Sequence, residues 1–229
     1  MLKILFTALA ALLFAGHAAA QNSRGFDDSA SNLMVVLRES QGQSRAEDSL
    51  MPFGKGKVKL QDGKEVEVDP GWFTYIGDLH IRFVFDTPTS MPGASPQDLE
   101  RLRLTPEAAV ALAVRNIKRV YGEPTVKAWD DWLQVESKSP DLISSYFLDK
   151  DFWRAQLKRY PEGVVAMLPK RGALVFAPLA DTKAIESMKR SVAALFISSK
   201  QLRVSSALYL FKDDHWTLFQ QPVGAPKQT

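Results

Sequence analysis

Beyond residue 20 the chain holds two histidines, His80 and His215, through which proton transfer at neutral pH would run. Each lies close in sequence to carboxylates. Asp213-Asp214-His215 places two acids beside an imidazole, a set that could converge on one metal ion. Asp86, Ser90 and His80 can be written as a triad in which His80 takes the hydroxyl proton and Asp86 orients the ring. Neither set has the spacing that such chemistry ordinarily shows. The chain has no Cys, and it carries no His-Glu-x-x-His pair, Gly-x-Ser-x-Gly elbow or Ser-x-x-Lys of the β-lactamase kind. Acids and a histidine at a hairpin tip are ordinarily turn formers in water. The expectation is therefore no metal, no cofactor and no catalytic residue. A hydrolase-like enzyme using His80 or His215 with nearby Asp residues stands as the alternative.

Three further positions are candidates for ligand binding: Asp86, Ser90 and Arg171. The first two flank Thr-Pro-Thr in a loop at a strand end, where rigid scaffolds display binding groups. The plainer reading of that loop is a stiff connection whose Asp and Thr bond their own backbone. Arg171 stands with Lys170 at the tip of VVAMLPKRGALVFAPL, the only charged residues in a long apolar stretch. Water alone could satisfy both. Trp129-Asp130-Asp131-Trp132 is the remaining aromatic and acidic cluster, and its two tryptophans, three residues apart, would share a helical face. Core packing is the plainer reading there too. Gly54-Lys55-Gly56 lacks the Lys-Ser/Thr and helix of a phosphate loop.

These residues need elements to hold them. VKLQDGKEVEV alternates around Asp62-Gly63 and predicts a hairpin. WFTYI and LHIRFVF predict two strands, the second with Leu79, Ile81, Phe83 and Phe85 on one face and His80, Arg82 and Val84 on the other. Ser95-Pro96 and Thr105-Pro106 each set a capping hydroxyl before proline, predicting two helix starts. The second helix carries Val110, Ala113, Val114, Ile117 and Tyr121 on one side and stops at Gly122. DKDFWRAQLKRY predicts a short helix and DTKAIESMKRSVAALF a longer one. The stretch 164–179 predicts a buried hairpin, and ALYLF with WTLF a closing one. Strands grouped in hairpins between helices predict an α+β fold, a mainly antiparallel sheet packed against several amphipathic helices.

The start of the chain reads as an export signal. Lys3, an apolar run from Ile4 to Ala15 and Ala18-Ala19-Ala20 form a signal peptide over residues 1–20, cut before Gln21. Residues 21–56 then read as a mobile leader and linker, residues 57–221 as a single domain, and 222–229 as a loose tail. No later stretch is long and apolar enough for a transmembrane helix. Without Cys, stability must come from burial, which a hydrophobic content of 45% can supply. Lys and Arg number 29 against 26 Asp and Glu. This slight excess, with no basic stripe beyond KGKVK at 55–59, makes nucleic acid an unsuitable partner.

FVFDTPTSM, the Thr105–Gly122 helix with ALAVRNIKR, VVAMLPKRGALVF, the helix after Asp181 and the closing LFKDDHW occur in the order seen in the DUF1444 family of uncharacterised bacterial proteins. The chain resembles that family from about Trp72 to about Phe219. The family's hairpin turn reads more like Pro-Asn-Arg-Asp. Pro169 and Arg171 match it and Lys170 and Gly172 do not, so no role of the family's acid carries over. The resemblance implies a fold group and no activity. The expected function is that of an exported, periplasmic envelope module without catalysis, whose partner is an envelope protein or a small ligand.

Overall fold

Residues 25–224 are described by a computed structural model. The signal peptide expected over residues 1–20 lies outside them. In chain order the strands begin with β1 (Leu33–Glu39), β2 (Met51–Pro52), β3 (Gly56–Lys59), β4 (Glu65–Val68), β5 (Trp72–Thr74) and β6 (Leu79–Phe85). Helices α1 (Pro96–Arg101) and α2 (Pro106–Tyr121) follow, then β7 (Thr125–Trp129) and β8 (Trp132–Glu136). A 3-10 helix over Pro140–Leu148 leads into α3 (Lys150–Arg159), β9 (Val164–Met167), β10 (Val175–Pro178), α4 (Thr182–Ser198), β11 (Leu208–Lys212) and β12 (His215–Gln220).

All strand pairs within the three sheets are antiparallel, and the fold is α+β. One sheet runs β1-β6-β5-β2, a second β12-β11-β9-β10-β8-β7, and among the described residues β3 pairs only with β4. The hairpin over 164–179 supplies the two central strands of the six-stranded sheet, with every residue of β9 buried. Strands covered on both faces read as continuous apolar runs, which is why that stretch lacks alternation.

The expected boundary at residue 57 is displaced. Leu33 to Leu37 are buried, and β1 pairs along the full length of β6, so residues inside the expected leader form core. Five consecutive apolar residues, LMVVL, have no polar face to show to water and must be buried on both sides. Conversely, β3 and β4 are almost wholly exposed. Their Val-Lys-Leu and Glu-Val-Glu alternation makes a good hairpin but provides too little apolar surface to hold it on the core.

A second correction concerns WDDW. It is the tip of the β7–β8 hairpin, with Asp130 at φ 53° and Trp129 paired across it with Trp132, ring centroids 5.5 Å apart. Asp tolerates the left-handed region better than most residues, because its short side chain can bond locally. The pair Asp213-Asp214, at φ 51° and 66°, turns the last hairpin in the same way.

Helices α1 and α2 start where their caps predict. Ser95 and Asp98 form a reciprocal capping box on α1, and Thr105 accepts from Ala108 N on α2. Asp149 caps α3, and Asp181 caps α4. The segment 140–148, for which no element was expected, is buried from Leu142 onward. It joins the layers through aromatic contacts: Phe147 stacks on Trp216 at 4.1 Å, and Trp153 meets Trp216 edge-on at 4.9 Å. Both indole N–H groups donate to the Phe147 carbonyl oxygen, at 3.0 and 3.2 Å, so these bulky rings are buried without an orphaned donor. One hydrophobic cluster contains residues of both larger sheets.

Candidate functional site

The outer flank of α2 faces the first residues of α3 across a cleft of about 570 Å³. Its base is apolar, formed by Leu50, Tyr75, Ile81, Val110, Val114 and Leu148. The α2 positions follow from the helical repeat, since residues 110, 111 and 114 fall on one stripe. Ile81 comes from the inward-facing row of β6, and Leu148 ends the 3-10 helix. This volume lies within the range of small-molecule sites.

Two buried carboxylates fix the polar edge. Asp48, its side chain 8% exposed, accepts from the Tyr75 hydroxyl through Oδ1. Its Oδ2 accepts from Trp216 N at 3.0 Å and pairs with Lys150 Nζ at 3.2 Å. One aspartate thus ties the 40–50 segment to Tyr75 just beyond β5, to the start of α3 and to β12. Burial, reinforced by the Asp48 charge, raises the Tyr75 phenol well above its ordinary pKa, so it serves as a neutral donor. Asp149 Oδ1 caps α3 by accepting from Phe152 N at 3.2 Å, while Oδ2 pairs with Lys118 at 3.3 Å. Lys118 also meets Glu123 at 2.9 Å. Burial works against the Lys118 charge, but the two carboxylates outweigh it and raise its pKa. Arg154 grips Asp214 with two bonds of 2.6 and 2.8 Å. Glu107 and Arg115, also on the cleft wall, have no ion pair among the described residues.

Asp86 and Ser90 line a different, smaller hollow with Phe26 and Asp27. Asp86 accepts from the Tyr121 hydroxyl at 2.5 Å, and burial followed by this contact raises Tyr121 to about 12. Ser90 is engaged by Thr87: its carbonyl oxygen accepts from the Thr87 hydroxyl at 2.7 Å, and its N–H donates back at 3.0 Å. The loop is therefore closed by its own side chains. His80 Nε2 accepts from Arg82 Nε at 2.8 Å. Asp86, Ser90 and His80 thus have three separate partners, and the structure does not bring them together as a triad. His215 is exposed, with Nδ1 3.0 Å from the Asp213 carbonyl oxygen. Among the described residues no three His, Asp or Glu side chains are grouped to hold a metal ion.

Arg171 is half-buried rather than a solvated tip residue, and Lys170 beside it is exposed. The turn is held from outside the hairpin: Arg171 N donates to the Leu202 carbonyl oxygen at 2.8 Å. Gly172, at φ 73°, sits against Pro140, whose carbonyl oxygen would lie 2.9 Å from an added Cβ.

Asp48 and the cleft were not legible in the sequence. Asp48 lies in a polar stretch, RAEDS, that reads as linker, and only its Coulombic and hydrogen-bonding partners, remote in the chain, mark it. Among the described residues no helix is long and apolar enough to cross a membrane. Comparisons of the chain with protein-family models, curated proteins and solved structures find no match.

Proposed function

We propose that the chain is an exported bacterial envelope protein that binds a small, largely apolar molecule in the cleft between α2 and α3, without catalysis of its own. The observation that carries this reading is the cleft itself: about 570 Å³ over an apolar base, with buried polar groups already fixed at its edge. Groups so engaged serve as pre-set donors and acceptors, which orient a ligand at little entropic cost. Asp48 and Asp149 hold lysines and backbone N–H groups, and no serine of the cleft is bonded to a base; Ser49 Oγ accepts from Arg45. The signal-like residues 1–20 and the resemblance to the DUF1444 family support export and a bacterial fold group.

The test uses a fluorescent apolar probe, anilinonaphthalene sulfonate, with Ala111→Trp placed on the exposed α2 position that lines the cleft. The parent protein is expected to bind the probe saturably, and Ala111→Trp to bind it at least about tenfold more weakly with unchanged helix content. Equal affinity in the two proteins would sink the cleft as the site. Export is read separately, from cell fractionation and the mass of the mature chain, expected to begin at Gln21.

A further inference from the structure

We propose that Arg38, Arg82 and Arg171 form a receptor for a tetrahedral oxyanion, a phosphoryl or sulfo group, at a site separate from the cleft. Strand register places its base. In the β1–β6 ladder Arg38 is opposite His80 and Val36 opposite Arg82, and in the β5–β6 ladder Trp72 is opposite Arg82. Directly paired residues of antiparallel strands point to the same face, so Arg38, His80, Arg82 and Trp72 share the face turned away from Ile81 and Phe83. Arg171 is brought towards this group by the β9–β10 turn, whose Gly172 sits against Pro140 at the head of the 3-10 helix that Ser145 ties to the Val35 carbonyl oxygen of β1, and its charge bears on both Arg38 and Arg82.

The three guanidinium groups are half-buried and held. Arg82 lies over the Trp72 ring, Cζ 3.5 Å from the centroid, and donates to His80 Nε2. Trp72 in turn stacks on His80 at 5.1 Å. Arg38 Nη1 donates to the Leu37 carbonyl oxygen at 2.7 Å, and Arg171 Nη2 reaches the Gln201 carbonyl oxygen at 3.4 Å. Arg171 Nε is buried with no hydrogen-bond partner among the described residues.

What is missing is negative charge. Among the described residues none of the three forms an ion pair with a carboxylate, and Asp141 alone acts favourably on Arg38, from beyond ion-pair distance. Like charges brought together and partly desolvated repel one another, a cost that a protein retains when a ligand supplies the counter-charge. His80 adds no charge, because its Nε2 lone pair is already taken by Arg82. Three positive charges offset in part by one acid leave about two uncompensated, matching a dianion better than a single carboxylate. Guanidinium forks from three separate segments also match the several oxygens of a tetrahedral group.

The test is made on the mature full chain by thermal melting and calorimetric titration with sodium phosphate, sulfate and acetate, each against sodium chloride at matched ionic strength. Phosphate, sulfate or both are expected to raise the melting temperature saturably, with acetate matching chloride. The phosphate and sulfate arms distinguish the two oxyanions. Arg171→Gln and Arg38→Gln are each expected to bind the oxyanion about tenfold more weakly, the loss of one charge-assisted contact. In chloride alone both are expected to melt no lower than the parent, since each relieves repulsion. Equal effects of phosphate, sulfate and chloride would overturn the proposal, as would acetate acting as strongly as phosphate. So would undiminished binding in both variants, or a marked loss of stability of both in chloride, which would show that the protein itself satisfies the cluster. Ala111→Trp is expected to leave oxyanion binding unchanged, so the two sites fail or stand independently.

Discussion

Replacing Asp48 by alanine removes one buried carboxylate and with it three contacts joining four segments. The Tyr75 hydroxyl loses its acceptor, as does Trp216 N–H. Each buried donor left unmatched costs about 1–3 kcal/mol. Lys150 is 42% exposed, so its lost pairing adds only about 0–1 kcal/mol. Water entering from the adjacent cleft would solvate part of what is exposed, so the low end of each range applies and the sum is about 2 kcal/mol. That is a large share of the roughly 5–15 kcal/mol by which domains are stable. Asp48→Asn keeps a carbonyl oxygen for one donor but sets an NH₂ group against the other, with an expected loss of about 1–2 kcal/mol. Urea unfolding with a shared slope measures both. A double-mutant cycle with Tyr75→Phe isolates the Asp48–Tyr75 contact, for which a coupling of about 1–2 kcal/mol is expected. Stabilities of Asp48→Ala and Asp48→Asn both within about 0.5 kcal/mol of the parent would refute the reasoning, because surface substitutions have effects of that size.

Two further outcomes follow from buried groups. His80 is held down to about 4 by burial first and then by the Arg82 and Arg38 charges, which outweigh the opposing Glu39 backbone. The unfolded chain therefore takes up a proton near pH 6.5 that the folded chain refuses until about pH 4, and stability falls as pH drops through that interval, by up to roughly 3 kcal/mol. In His80→Gln this component is expected to vanish, so unfolding free energies at pH 7 and 4.5 should differ less than in the parent; parallel curves would contradict it. Gly172→Ala forces a Cβ to 2.9 Å from a backbone oxygen at a left-handed φ, with an expected loss of about 2–4 kcal/mol in the same unfolding assay. A loss below about 0.5 kcal/mol would show that the turn shifts freely away from Pro140.

Elements whose cause is local were legible in the residues themselves. Ser95 and Thr105 cap helices because the bonds they make reach only three residues along the chain. Asp62-Gly63 and Asp213-Asp214 mark hairpins because turn geometry depends on a few dihedral angles. The two faces of β6 follow from a period of two, and the burial of 164–179 from unbroken apolarity. Hydrophobic spacing misplaced WDDW, since a pair three apart fits either a helical stripe or two strands meeting at a turn, and pairing with β10 through β8 decided the matter.

The sites belong to tertiary structure. Arg38 and Arg82 become neighbours only through the β1–β6 register, and Arg171 joins them only because its turn packs on Pro140 and Leu202. Asp48 acquires its meaning from Trp216, far along the chain. Charges interact through space over several ångströms whatever their separation in sequence. Local preference therefore determined where this chain turns, coils and extends, while the packing of distant segments decided which charges are left buried, paired or waiting for a partner.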